Sequence, residues 1–176
     1  YPGSGEFIIK LIAAREDQRL LGIQVLGQGA VDKMVDVAVT AITMKAHLAD
    51  LANMDMAYAP PFSTAIHPFV AAVQILLNKL SGRLVSMGPA DFRAGKAEGR
   101  RIIDVGPAPS LEGAPYLDFT ALPNGLEGIG KDEKLLLVCA KGKRAYLTQN
   151  RLRALGYTDT VVLEGGTTVN GTDLVK

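Results

Sequence analysis

Only one of the 176 residues is cysteine, two are histidine, and tryptophan is absent. A lone thiol closes no internal disulfide, and such sparing use of cysteine points to a reducing, cytoplasmic setting. Charge has almost no bias. With 19 basic and 18 acidic side chains the formal net charge is +1, which gives no case for nucleic acid or an acidic membrane surface as partner. Long apolar runs are missing too: the stretch 69–77 is interrupted and too short to span a bilayer, and no secretory signal opens the chain. Internal repeats and low-complexity tracts are not found. No G-x-G-x-x-G follows a strand. Gly27-x-Gly29 lacks the third glycine and precedes an amphipathic segment beginning with Asp32, so no cofactor site is expected in this chain, and no metal site is assigned.

What is present suffices for packed cores, since 48% of the residues are hydrophobic. Apolar stretches at 7–14 and 20–26 flank the polar turn 15–19, a pattern that predicts an antiparallel hairpin. From Val31 the period changes. Val31, Met34, Val35, Ala38, Val39 and Ile42 fall at helical spacing, with Asp32, Lys33, Asp36 and Thr40 on the wet flank. Pro68 suits the first turn of a second long helix, 68–80, which Ser81-Gly82 ends. Together these predict an α+β unit over residues 1–82. The segment 81–98, with Gly82, Gly88, Pro89 and Gly95, marks the boundary to a second unit, 83–176.

The second unit holds the richest chemistry. The strand-like run Leu135-Leu136-Leu137-Val138 delivers Cys139 to the sequence Cys139-Ala140-Lys141-Gly142-Lys143-Arg144-Ala145, ahead of a helix-like segment. This is C-x-x-G-x-R, a loop whose N–H groups can converge on a sulfur anion over a helix N-terminus. A thiol becomes reactive when a helix N-terminus and nearby cations stabilise its anion, and Lys141, Lys143 and Arg144 supply the cations. Gly142 lets the backbone turn. Sulfur transfer and phosphoryl transfer both suit such a loop. The bland alternative is a buried cysteine that ends a core strand.

Residues 85–176 resemble a single rhodanese domain, with Cys139 to Arg144 in the place of its active-site loop. Met87-Gly88-Pro89-Ala90-Asp91-Phe92 looks like that fold's opening helix, and Gly99-Arg100-Arg101-Ile102-Ile103-Asp104-Val105 like its first core strand. Arg151-Leu152-Arg153-Ala154-Leu155-Gly156-Tyr157 looks like the helix after the loop with its glycine stop, and Val161-Val162-Leu163-Glu164-Gly165-Gly166 like the next strand. The resemblance implies an α/β unit with a mostly parallel sheet, in which Cys139 takes sulfane sulfur as a persulfide and passes it to a thiol. It also implies that the amides of Ala140, Lys141, Gly142, Lys143, Arg144 and Ala145 stabilise the persulfide, and that Arg144 braces the loop or binds an anionic donor. Two departures concern substrate anchoring. Gly106 stands where these domains commonly carry arginine, and the usual Gly-His-Ile segment is absent from the shortened stretch 107–119. A phosphatase loop usually has one more residue before its arginine, so the six-residue spacing favours sulfur.

The first unit resembles a different family. Tyr1-Pro2-Gly3, Gly27-Gln28-Gly29-Ala30-Val31-Asp32-Lys33 and Tyr58-Ala59-Pro60-Pro61-Phe62-Ser63 are similar to the C-terminal dimerisation domain of flavin-dependent pyridine nucleotide–disulfide oxidoreductases. The last run looks like the branch of coenzyme A-disulfide reductases and NADH oxidases, some of which carry a fused rhodanese domain. The resemblance implies the C-terminal part of a longer flavoprotein: a homodimer through residues 1–82 whose FAD, NAD(P)H and coenzyme A belong with the missing domains of its own chain. Tyr58 is the residue that would reach the partner's redox site, or else one of two interface aromatics with Phe62. His67-Pro68 resembles the His-Pro pair of glutathione-reductase-like relatives, although the acid expected five residues on is Ala72. His67 is then a cross-subunit acid/base or a plain helix-entry residue, and His47 has no motif around it. A non-catalytic dimerisation and binding module is the alternative for the whole chain.

Overall fold

The computed structural model describes residues 5–60, 62–121 and 126–175. The chain divides into two compact units, Tyr1–Ser81 and Gly82–Lys176. Among the motifs above, Tyr1-Pro2-Gly3 and Pro61 lie outside the described residues.

In the first unit β1 (Phe7–Ala13) and β2 (Leu20–Gly27) form the expected antiparallel hairpin, with Leu11 opposite Ile23 and an irregularity at Ile12/Ala13. Its turn is held by Asp17 Oδ1, which accepts the Arg19 N–H at 3.0 Å. Three helices follow: α1 (Val31–Thr43), α2 (Leu48–Ala52) and α3 (Pro68–Leu80). The stripe of α1 that buries Met34, Ala38 and Ala41 meets Phe69 and Val73 of α3 under the inner hairpin residues Phe7, Leu11, Ile23 and Val25. Period two on the hairpin and period 3.6 on the helices thus converge on one core. His47, without a motif in the sequence, begins α2, and its N–H donates to Asp50 Oδ2 at 3.3 Å.

The second unit is a four-stranded parallel sheet in the order β3 (Ser86–Met87), β6 (Thr160–Leu163), β5 (Leu135–Val138), β4 (Arg101–Asp104). Every residue of β5 and β6 is buried, as expected for parallel strands covered on both faces. Alternation splits β5 between two cores. Leu135 and Leu137 share one face with Ile103, Val105, Ala145 and Leu152, whereas Leu136 and Val138 share the other with Leu111, Val161, Leu163 and Leu174. The connecting helices are α4 (Pro89–Arg93), α5 (Lys143–Ala154) and α6 (Gly166–Asn170), with a 3₁₀ turn at Phe119–Ala121. The residues 151–157, read from the sequence as the helix after the loop, contain only its last turn: α5 begins eight residues earlier because Gly142, left-handed at φ 102°, serves as its N-cap directly after the loop.

Gln149 of α5 is fully buried and ties three segments together. Its Nε2 donates to the carbonyls of Val85 at 2.8 Å and Thr160 at 2.7 Å, and its Oε1 accepts the Val85 N–H at 3.2 Å. Replacement by alanine leaves the Thr160 carbonyl and the Val85 N–H without these partners, each costing about 1–3 kcal/mol, while the Val85 carbonyl keeps the Val162 N–H at 3.0 Å. Urea unfolding of Gln149→Ala is therefore expected to show a loss of about 3–5 kcal/mol for the second unit.

Candidate functional site

Cys139 leaves β5 at the C-terminal edge of the sheet, the edge where parallel α/β sheets carry their sites. It keeps the inward alternation of Leu135 and Leu137, so it is only 3% exposed and touches the core beneath α5. The polypeptide then turns through Gly142. The Gly142 N–H donates to Cys139 Sγ at 3.1 Å, and the Gly142 carbonyl accepts the first helical bond from Tyr146 at 2.9 Å. Lys143, Arg144 and Ala145 open α5, where the first amides have no intrahelical acceptor and the helix dipole is positive. A side chain at Gly142 would meet only Leu163 O, at 3.9 Å, so the positive φ, not space, calls for glycine there.

The side chains of the loop divide cleanly. Ala140, Lys141, Lys143 and Arg144 are exposed, and Ala145 is buried, which leaves Ala145 only its backbone N–H to offer a ligand. Lys143 and Arg144 enter no hydrogen bond or ion pair among the described residues, and both are exposed. Arg144 therefore does not brace the loop by any such bond. Arg151 contrasts with it. Its Nη1 donates to Phe119 O at 2.6 Å and its guanidinium lies 4.9 Å over the Phe119 ring, which spends the charge on holding the 3₁₀ turn.

Beside Cys139, the Val105 N–H donates to the Val138 carbonyl at 2.8 Å and brings the loop after β4 alongside. Asp104, 1% exposed, organises that loop. Its Oδ1 accepts the Gly106 N–H at 2.8 Å, and its Oδ2 accepts the Leu111 N–H and the Ser110 hydroxyl, each at 3.0 Å. The bend is too tight for a side chain at 106: a Cβ there would lie 2.9 Å from Ala108 O and 3.1 Å from Asp104 Oδ1. The absent arginine is thus a consequence of how the shortened segment folds.

From the other side, α6 meets the loop. Thr167 N–H donates to the Cys139 carbonyl and Thr168 N–H to the Ala140 carbonyl, both at 3.0 Å. Sequence reasoning took Gly165-Gly166 for the end of a strand and missed this contact, as it missed Asp104 and Gln149. The available signal was the glycine doublet itself, which marks a close backbone approach after an apolar run.

The first unit contributes Tyr58 and His67. Tyr58 is 63% and Phe62 is 91% exposed. Ser63 draws their loop together by accepting the Ala59 N–H at 2.9 Å and donating to Ala57 O at 2.6 Å. His67 caps α3 and, with Met54, Met56, Ile66 and Val70, lines a shallow cleft of about 190 Å³ that Tyr58 does not line. A dinucleotide does not fit the described residues here: β1 and β2 are antiparallel, and the first turn of α1 carries Asp32, whose charge opposes a phosphate. Among the described residues, no group of three or more His, Cys, Asp or Glu side chains is placed to hold a metal, and no helix is long and apolar enough to cross a membrane.

Two family models match the chain: the pyridine nucleotide-disulphide oxidoreductase dimerisation domain over residues 1–69 and the rhodanese-like domain over residues 89–169. The chain joins these two domains. The NADH oxidase of Methanocaldococcus jannaschii is 39% identical over 83 residues, which are 47% of this chain and 18% of the relative. The CoA-dependent NAD(P)H sulfur oxidoreductase of Pyrococcus furiosus is 34% identical over 76 residues, 43% of this chain and 17% of that protein. The solved NAD-dependent persulfide reductase of A. fulgidus is 30% identical with a TM-score of 0.83, covering 95% of this chain and 30% of its own. The chain thus spans less than a third of each of these relatives. In the family, the first domain serves dimerisation.

Burial pushes the His67 imidazole below the ordinary histidine value of 6.5, and its Nδ1 is buried without a hydrogen-bond partner among the described residues. The unfolded chain then takes up a proton at a pH where the folded one does not. Stability contributed by neutral His67 is complete above pH 6.5 and is lost as pH falls below it. Urea titrations at pH 7.5 and pH 5.5 (roughly one unit either side of that value) are expected to show this loss, and His67→Gln is expected to flatten it.

Proposed function

We propose that the rhodanese-like domain is a sulfurtransferase and Cys139 its sulfur carrier. The observation that carries this is the Gly142 N–H aimed at Cys139 Sγ at 3.1 Å, at the positive end of α5, whose first two residues, Lys143 and Arg144, are exposed. The Cys139 thiolate attacks the outer sulfur of a donor such as thiosulfate. A new S–S bond forms, the old one breaks, and sulfite leaves with the electron pair. The outer sulfur of the resulting persulfide is then attacked by an acceptor thiolate, which takes that sulfur and returns Cys139 as thiolate. This is covalent catalysis in two easier steps. The amides of residues 140–145 stabilise the persulfide anion, and Lys141, Lys143 and Arg144 gather anionic donors.

On the same proposal, the chain is the C-terminal part of an FAD-dependent pyridine nucleotide–disulfide oxidoreductase that acts on coenzyme A-linked disulfides, persulfides or polysulfides in a reducing cytoplasm. FAD, NAD(P)H and coenzyme A are assigned to the rest of that protein, and the acidic start of α1 suits no dinucleotide phosphate. The first domain pairs two chains, and the exposed Tyr58 and Phe62 are aromatic residues of the kind enriched at subunit interfaces. Tyr58 and His67 are assigned to the partner's redox site. One observation favours a second reading: Cys139 is 3% exposed, as a thiol in a non-catalytic binding module would be.

The test is intact mass of the reduced chain before and after incubation with thiosulfate or a coenzyme A persulfide. The parent is expected to gain one sulfur, removable by cyanide or a thiol, and Cys139→Ser to gain none. No gain with any sulfane donor, despite a thiol that alkylates, would sink the sulfurtransferase reading and leave a dimerisation and binding module. In steady state with thiosulfate, Arg144→Ala is expected to raise KM about fivefold and leave kcat within about twofold, the signature of a charge that gathers the donor.

A further inference from the structure

We propose that Gly166 is a positioning residue for the Cys139 loop: having no side chain, it lets α6 grip the carbonyls of Cys139 and Ala140, and that grip keeps those two oxygens from turning onto the sulfur that the Gly142 N–H meets. The inference rests on the reading of the loop as an anion cradle. Gly166 is buried and left-handed at φ 48°. A Cβ there would fall on the Cys139 carbonyl oxygen and lie 2.7 Å from both the carbonyl carbon and the oxygen of Ala140. Backbone rests on backbone at this point, which only glycine permits. The approach brings the Thr167 and Thr168 N–H groups to 3.0 Å from those two oxygens.

The consequence follows from the peptide unit. In a trans, planar peptide the C=O and the following N–H point in opposite directions. Turning the carbonyls of Cys139 and Ala140 toward α6 therefore turns the N–H groups of Ala140 and Lys141 away from it. It also takes the negative ends of two carbonyl dipoles off the sulfur, where they would oppose an anion. Gly142, next along, completes the turn with its N–H on Sγ at 3.1 Å. Without the grip, the two peptide planes are free to rotate and bring a carbonyl oxygen toward the sulfur.

Gly165 provides an internal control. It is equally left-handed at φ 72°, but a Cβ there meets Val169, at 2.5–3.4 Å, and no atom of the Cys139 loop. Alanine at either position strains the same turn, and only Gly166→Ala pushes on the loop.

The experiment uses the full 176-residue chain and the alkylation rate of Cys139 by uncharged iodoacetamide and by iodoacetate, read by intact mass. Gly166→Ala is expected to slow both reagents about tenfold and to leave their ratio within about twofold, because Lys143 and Arg144 are untouched. Gly165→Ala is expected to stay within about twofold of the parent for both. A merely structural role predicts the opposite sign, since loosening exposes a buried thiol and speeds alkylation. A Gly166→Ala rate at or above the parent's overturns the proposal. If that variant does not fold, hydrogen exchange in the parent decides: slow exchange at Thr167 and Thr168 supports the grip, and exchange as fast as at exposed amides overturns it. Neither readout needs sulfur transfer. Failure of thiosulfate to load the parent sinks the sulfurtransferase reading and leaves this test standing.

Discussion

Parallel pairing of β5 with β6 is the constraint from which the rest of the second unit follows. Both strands are buried on both faces, so neither can turn back within the sheet, and both chains emerge at the same edge. Cys139 and Gly165-Gly166 are therefore brought side by side, although more than twenty residues of sequence separate them. An antiparallel arrangement would have put them at opposite edges. The thiol loop is shaped by its neighbour on the sheet as much as by its own residues.

Burial and reactivity pull against each other at Cys139. Alternation along β5 directs the side chain into the apolar core, where an anion is costly. The compensation is local and made of backbone: one N–H on the sulfur, the open end of α5, and carbonyls held away by α6. Mobile charges stand further out. Lys143 and Arg144 face water, where each is worth little to stability and more to the capture of an anion. This division, fixed dipoles inside and flexible cations outside, is what the proposed sulfur carrier would use to hold a charged sulfur and still release it.

The first unit follows simpler rules and leaves something over. Its inner residues are spent on one core of hairpin and helices, yet Tyr58, Phe62 and Ile66 remain exposed on a loop tied by Ser63. An exposed aromatic pair on a braced loop is an uncommon use of apolar surface in a solitary domain. The proposed pairing of two chains through the first domain would give that surface a use.

Local pattern was enough to determine the hairpin, the starts of α1 and α3, the buried run of β5 and the turn after it through Gly142, because each depends on periodicity or punctuation within a few residues. Pro68 and the left-handed Gly142 set helix starts wherever the chain goes. What lies across the fold was hidden. Asp104 reads as one more acid until Ser110 and Leu111 fold onto it, and Gln149 as one more helix surface residue until it reaches Val85 and Thr160. Arg144 and Arg151 look alike on the page, and only Phe119 beside one of them tells a free charge from a spent one. Gly166 is the plainest case: its glycine was visible, but the carbonyls that demand it come from another strand, and hydrogen bonds between distant backbones leave no mark on the order of residues.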